Sequence, residues 1–180
     1  MSRIVIVSGP PGAGKSTVAR RLADSAIGLL AMHIHTDDQY AYIRKGFVAP
    51  WRPESQAQNK ILMDAMATSA AIYAKGGYEV FVDGIVGPWF FEPWVAATRQ
   101  NAIDLHYVAL MPSEDEAVDR AVARTAADAM TDAAVVRQMW QAFETFAPSP
   151  RHVVDTTDQT PAQTMVEVSN RLQAGDFVLS

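Results

Sequence analysis

Two regimes of hydrophobic patterning alternate along this chain. Arg3-Ile4-Val5-Ile6-Val7-Ser8 is a continuous β-branched run that stops at Gly9, the signature of a strand buried on both faces. A helical period follows over about Lys15–Ser25. A second apolar strand, Leu29–His35, ends at Thr36-Asp37-Asp38, short polar residues suited to capping the next helix, which carries Tyr40 and Tyr42. Glu54–Lys75 predicts a long helix with apolar residues at Ile61, Leu62, Ala65, Met66, Ala70 and Tyr73, stopped by Gly76-Gly77. Tyr78–Val82 reads as a third strand before Asp83-Gly84. A loop rich in glycine, proline and aromatic residues then runs from Ile85 to Trp94. After a short helix come a fourth strand over Leu105–Met111 and a helix over Ser113–Arg124. The small, polar segment Thr125–Thr131 precedes a helix near Asp132–Phe146, a fifth strand over His152–Val154 and a last helix over Pro161–Leu172. Five short strands alternating with helices imply parallel pairing through right-handed crossovers. The fold class is therefore α/β, one parallel sheet with helices on both faces.

Composition narrows the function. The 180 residues fit a single domain, expected to span 1–180, and 49% apolar against 19% charged residues support a well-buried core. The absence of cysteine excludes disulfides, thiolate nucleophiles and zinc-cysteine sites, and makes a reducing cytoplasm the natural home. His33 and His35 share one face of a strand, a spacing that carries little evidence for zinc. A net charge of -5 speaks against a nonspecific hold on a phosphate backbone, so long nucleic acid is disfavoured as a partner. No apolar run reaches the 18 or more residues of a membrane span. The expectation is a soluble, cytoplasmic protein with no membrane partner; the pattern specifies no oligomeric state.

The chemistry enters at Gly9-Pro10-Pro11-Gly12-Ala13-Gly14-Lys15-Ser16-Thr17, a full G-x-x-x-x-G-K-[ST] match directly after a strand and before a helix. Its glycines adopt backbone angles closed to other residues and leave room for phosphate, so that successive N–H groups face anionic oxygens. The helix N-terminus adds positive dipole. Lys15 suits the outer phosphates as a point charge, and the Ser16 hydroxyl suits a magnesium ion. The candidate nucleotide-binding residues are thus the whole run from Gly9 to Thr17.

In open parallel sheets, loops at the C-terminal strand ends converge on one crevice, so Asp37 and Asp83 both face this cradle. One carboxylate suits the proton of an attacking hydroxyl; the other suits magnesium, directly or through water. Asp37 is the candidate base, with helix capping as its competing role; Asp83, ending an apolar strand, joins Ser16 as candidate metal holder. Arg120 and Arg124 lie one helical turn apart before Thr125–Thr131, which reads as part of a lid over about 120–137. Both are candidates to stabilise charge on a moving phosphoryl group, with Arg137 a third.

These residues resemble the small P-loop kinases, a group that includes chloramphenicol phosphotransferase, gluconate and shikimate kinases, zeta toxins and the polynucleotide 5'-kinase domain. The likeness rests on Gly9–Thr17, His35-Thr36-Asp37-Asp38-Gln39-Tyr40, Val82-Asp83-Gly84, and Arg120 with Arg124. His-x-Asp-Asp and the Gly-x-x-x-Pro-Trp segment from Gly46 to Trp51 are most similar to uncharacterised bacterial members. The resemblance implies strand order 2-3-1-4-5, ATP as donor, and Asp37 as base toward an acceptor hydroxyl. Gly84 is followed by Ile85 rather than by the glycines of shikimate kinases, and the lid has fewer arginines than in nucleotide monophosphate kinases. Both departures point away from those substrates.

The expected reaction is ATP- and magnesium-dependent transfer of a γ-phosphate to a hydroxyl of a small molecule: an antibiotic, a sugar or a nucleoside-like compound. Segments about 38–60 and 84–98 are expected to form its site, with Asp37, Tyr40, Trp51, Asp83 and Trp89 as candidate contacts. Two alternatives share the same motifs. One is a kinase acting on a nucleotide, a nucleotide sugar or a polynucleotide 5'-end; the other is a nucleotide-dependent ATPase or switch without an acceptor.

Overall fold

The structure, a computed structural model, describes residues 2–125, 130–146 and 149–179. In chain order the elements are β1 (Arg3–Ser8), α1 (Lys15–Asp24), β2 (Ala31–His35), α2 (Thr36–Ala41), α3 (Gln56–Lys75), β3 (Glu79–Asp83), α4 (Phe91–Asn101), β4 (Asp104–Met111), α5 (Glu114–Val122), α6 (Ala133–Phe146), β5 (Val153–Asp155) and α7 (Pro161–Ala174). The strands pair in parallel in the order β2-β3-β1-β4-β5, the order implied by the family resemblance.

The uninterrupted apolar run of β1 follows from this central position. Ile4 and Ile6 feed one face of the sheet, with Val80, Val82 and Tyr107, against Met63, Met66 and Ala70 of α3 and Trp94 of α4. Val5 and Val7 feed the other face, with Phe81, Val108 and Leu110, against Val18 and Leu22 of α1 and Val168 and Leu172 of α7. A strand with helices on both sides has no solvent face, so no polar residue alternates into it.

Several boundaries differ from the sequence expectation, each for a physical reason. β2 starts at Ala31 rather than Leu29, because it is an edge strand and pairs only from Ala31 opposite Glu79; Leu29 is exposed. β3 is Glu79–Asp83 rather than Tyr78–Val82, so Asp83 is its last paired residue, opposite Val7 and His35. The expected loop from Ile85 to Trp94 turns helical early, through a single turn at Pro88–Phe90 and then α4, which carries Trp94 into the core at 0% exposure. Before α3, Pro53–Ser55 form a separate 3-10 turn. Thr36-Asp37-Asp38 does not precede a helix but begins one: His35 takes the N-cap position, and no side chain makes a cap hydrogen bond. Residues 126–129, at the centre of the expected lid, lie outside the described residues. Among the described residues, no helix is long and apolar enough to cross a membrane.

Candidate active site

The loop after β1 is shaped by close approaches that only glycine permits. Gly9, Gly12 and Gly14 have φ of 141, 82 and 83°. A Cβ on Gly9 would lie 2.2 Å from the Leu110 carbonyl oxygen, and one on Gly12 2.2 Å from that of Ala117. The loop is thus pressed against β4 and α5. Pro10, Pro11 and Ala13 are buried with it, while Thr17 is exposed on α1. The Lys15 ammonium donates to the Pro10 carbonyl at 2.8 Å. Burial pushes this lysine down to about 8; the negative charges of Asp37 and Asp83 oppose that shift, and the Arg124 guanidinium adds to it.

Ser16 donates to Asp83 Oδ2 at 2.5 Å, joining the loop to the end of β3. Asp83 is fully buried and also clasped from β2, whose alternate residues His33 and His35 face it across the parallel pairing. His33 Nε2 is 2.5 Å from Oδ1, and His35 Nδ1 is 3.0 Å from Oδ2. Although burial acts the other way, these three hydrogen-bonding groups hold the Asp83 carboxyl well below the usual carboxylate range. The hydrogen bond to Asp83 in turn raises His35 above its ordinary value. The shared face of the two histidines is legible in the sequence, but their partner is not, because strand register decides it.

Asp37 stands on the first turn of α2 with its side chain 68% exposed, 3.7 Å from His35 Nε2. Freed of a capping role, it faces the same lysine as Asp83. Tyr40 donates to Asn59 Oδ1 at 3.1 Å and is pushed up to about 12, by burial and then by the Asp37 charge. Asn59, which sequence reasoning missed, is buried on α3 and donates to the Pro50 carbonyl and to Ser55 Oγ at 2.8 and 2.9 Å. Gln58 clamps both backbone groups of Val48. The segment leading to Trp51 is therefore fastened to the start of α3, with Trp51 itself half-exposed.

The exit of β3 is fastened as firmly. Ser8 donates to the Gly84 carbonyl at 3.0 Å and accepts from the Val86 amide at 2.9 Å, and Tyr107 donates to the Val86 carbonyl. A Cβ on Gly84 would lie 1.8 Å from Thr36 Oγ1, so this glycine lets α2 approach β3. Trp89 is half-exposed, folded over Gly87 and edge-on to Phe143 of α6. A cavity of about 230 Å³ opens beside β2, walled by Met32, Ile34, Asp38, Gln39, Tyr42 and Tyr73 among others; neither Trp51 nor Trp89 lines it.

The three arginine candidates separate. Arg124 lies within electrostatic reach of Lys15. Arg120 is held by Glu116 at 2.7 Å and by the Thr156 and Thr157 carbonyls at 3.2 and 2.9 Å, bracing the loop after β5. Arg137 pairs with Glu114 and Asp115 on the surface.

A five-stranded parallel sheet in the order 2-3-1-4-5, with a glycine loop between its central strand and a helix, defines a P-loop kinase-like fold. A family model described as an AAA domain matches residues 4–146, and the chain belongs to that family. Among solved structures it is similar to an unliganded sugar kinase from Janibacter sp. HTCC2649, at 17% identity and TM-score 0.71, covering 96% of this chain and 95% of that one. It is similar to the tunicamycin resistance protein of Deinococcus radiodurans, at 15% identity and TM-score 0.66, covering 100% and 99%. It is also similar to the Mycobacterium tuberculosis APS kinase in complex with AMPPNP and APS, at 18% identity and TM-score 0.66, covering 96% and 98%. No curated protein matches the chain by sequence comparison.

Proposed function

We propose that this chain is an ATP-dependent kinase that transfers the γ-phosphoryl group to a hydroxyl of a small molecule. The observation that carries the reading is Asp37: an exposed carboxylate with no capping bond, facing the lysine of a glycine-rich loop and lying beside the Ser16–Asp83 pair. The naming of similar folds as sugar and APS kinases supports it.

The loop amides and Lys15 suit a triphosphate, which concentrates negative charge where the helix dipole and the lysine are positive. Ser16 and Asp83 present hard oxygen donors 2.5 Å apart, a donor set that fits magnesium, with Asp83 acting directly or through water. Bound there, the ion would offset the charge of the phosphate tail. In the transfer, Asp37 accepts the proton of the acceptor hydroxyl as its oxygen bonds to the γ-phosphorus. The bond from that phosphorus to the β–γ bridging oxygen breaks, and ADP leaves with the electron pair. Arg124 is assigned to the charge that develops on the transferred group, and Arg120 to holding the loop after β5. Tyr40, Trp51 and Trp89 line the approach of an acceptor with a ring or apolar face.

The test is transfer of label from γ-labelled ATP across a panel of sugars, nucleosides and hydroxylated antibiotics. The expected result is transfer to a subset of small hydroxyl compounds, reduced about a hundredfold or more by Asp37→Asn. Hydrolysis without transfer to any acceptor, at a rate indifferent to Asp37→Asn, would contradict it.

A further inference from the structure

His35 stands between the two carboxylates of the site. Its Nδ1 is 3.0 Å from Asp83 Oδ2, and its Nε2 is 3.7 Å from Asp37 Oδ2, beyond a hydrogen bond but within ion-pair distance. The two contacts differ in firmness. Asp83 is buried and fixed by His33 and Ser16, whereas Asp37 is 68% exposed on a six-residue helix. The ring is thus anchored at one end and free to restrain the other. An exposed carboxylate samples several rotamers, whereas a general base must stay within hydrogen-bond reach of the proton it takes. Among the described residues, His35 is the basic side chain within ion-pair distance of Asp37.

We propose that His35 is a positioning residue, its ring anchored on Asp83 and holding Asp37 toward the acceptor hydroxyl. The inference rests on the role proposed above for Asp37. It ties the carboxylate on the acceptor side to the one that joins the phosphate loop through Ser16. Nucleotide binding and alignment of the base are thereby linked through one imidazole.

Asparagine at this position places its amide nitrogen where Nδ1 was, and glutamine where Nε2 was. His35→Asn therefore keeps a donor toward Asp83 and loses the reach to Asp37; His35→Gln does the reverse. The assay uses the full chain with MgATP as probe and water as acceptor, reading kcat and KM for phosphate release separately. We expect His35→Asn to lower kcat about tenfold with KM for MgATP within about twofold, and His35→Gln to cost less. In an Asp37→Asn background, His35→Asn should lower kcat no further. A purely structural histidine would instead move KM and the melting temperature. The proposal is overturned by a His35→Asn protein with unchanged kcat, by a loss no greater than that of His35→Gln, or by equal losses in both backgrounds. An Asp37→Asn protein that hydrolyses MgATP at the wild-type rate overturns the base assignment along with it, whereas the preceding outcomes leave that assignment standing.

Discussion

Trp89 and Trp94 lie five residues apart and have opposite surroundings. Trp94 is fully buried against α3 and the sheet, and Trp89 keeps nearly half its surface in solvent at the exit of β3. Trp94→Ala should cost about 3–5 kcal/mol of stability in urea denaturation. Trp89→Ala should cost no more than about 1 kcal/mol and act on acceptor use instead. Lys15 supplies a second test at this scale. Its folded value of about 8 lies below its ordinary 10.5, so between these values the unfolded chain binds more protons, and stability rises with pH. Denaturation midpoints below pH 8 and near pH 10 should show that rise, and Lys15→Met should remove it. Phosphate favours the charged lysine, so above about pH 8 MgATP binding should take up protons, visible as a buffer-dependent heat in calorimetry. Asp83 has the opposite sign: held below its ordinary 3.8, it contributes stability above that value that is lost as pH falls through its folded one.

At the level of elements, the sequence made the periodic segments legible and left their contacts hidden. The β-branched run of β1 and the long apolar period of α3 announced themselves. The start of β2 did not, because an edge strand ends where its partner ends rather than where its own apolar residues do. The glycine loop was readable residue by residue, since its motif is local. The clasp of His33 and His35 on Asp83 depends on β2–β3 register, and the hold of Arg120 on the Thr156 and Thr157 carbonyls joins groups 36 and 37 residues apart. Gly84 shows how local chemistry and long-range packing meet, since Thr36 occupies the space a side chain would need. Gly84→Ala should destabilise by about 1–3 kcal/mol through overpacking, and Thr36→Ala in the same chain should recover part of that loss, as measured by thermal unfolding. Beyond β5, the capping box of Thr160 and Gln163 starts α7. Thr160→Ala should cost about 1 kcal/mol without altering nucleotide affinity.

For the whole molecule, the parallel order β2-β3-β1-β4-β5 places the loop after β1 next to the C-terminal end of β3, and β2 at the edge beyond it. This arrangement lets Asp83 meet Ser16 on one side and the β2 histidines on the other, with Asp37 following directly on α2. The family match spans this frame, residues 4–146, and the two proposed acceptor contacts Trp51 and Trp89, on fastened segments, stay half in solvent. Everything proposed for this site turns on Asp37 serving the transfer rather than the binding of nucleotide. The most direct measurement is a paired titration and turnover of wild type and Asp37→Asn with MgATP and the best acceptor from the panel. Asp37→Asn should keep nucleotide affinity within about twofold and lower kcat by about a hundredfold or more. Equal turnover by the two proteins, or a loss of turnover fully explained by lost nucleotide affinity, would contradict it.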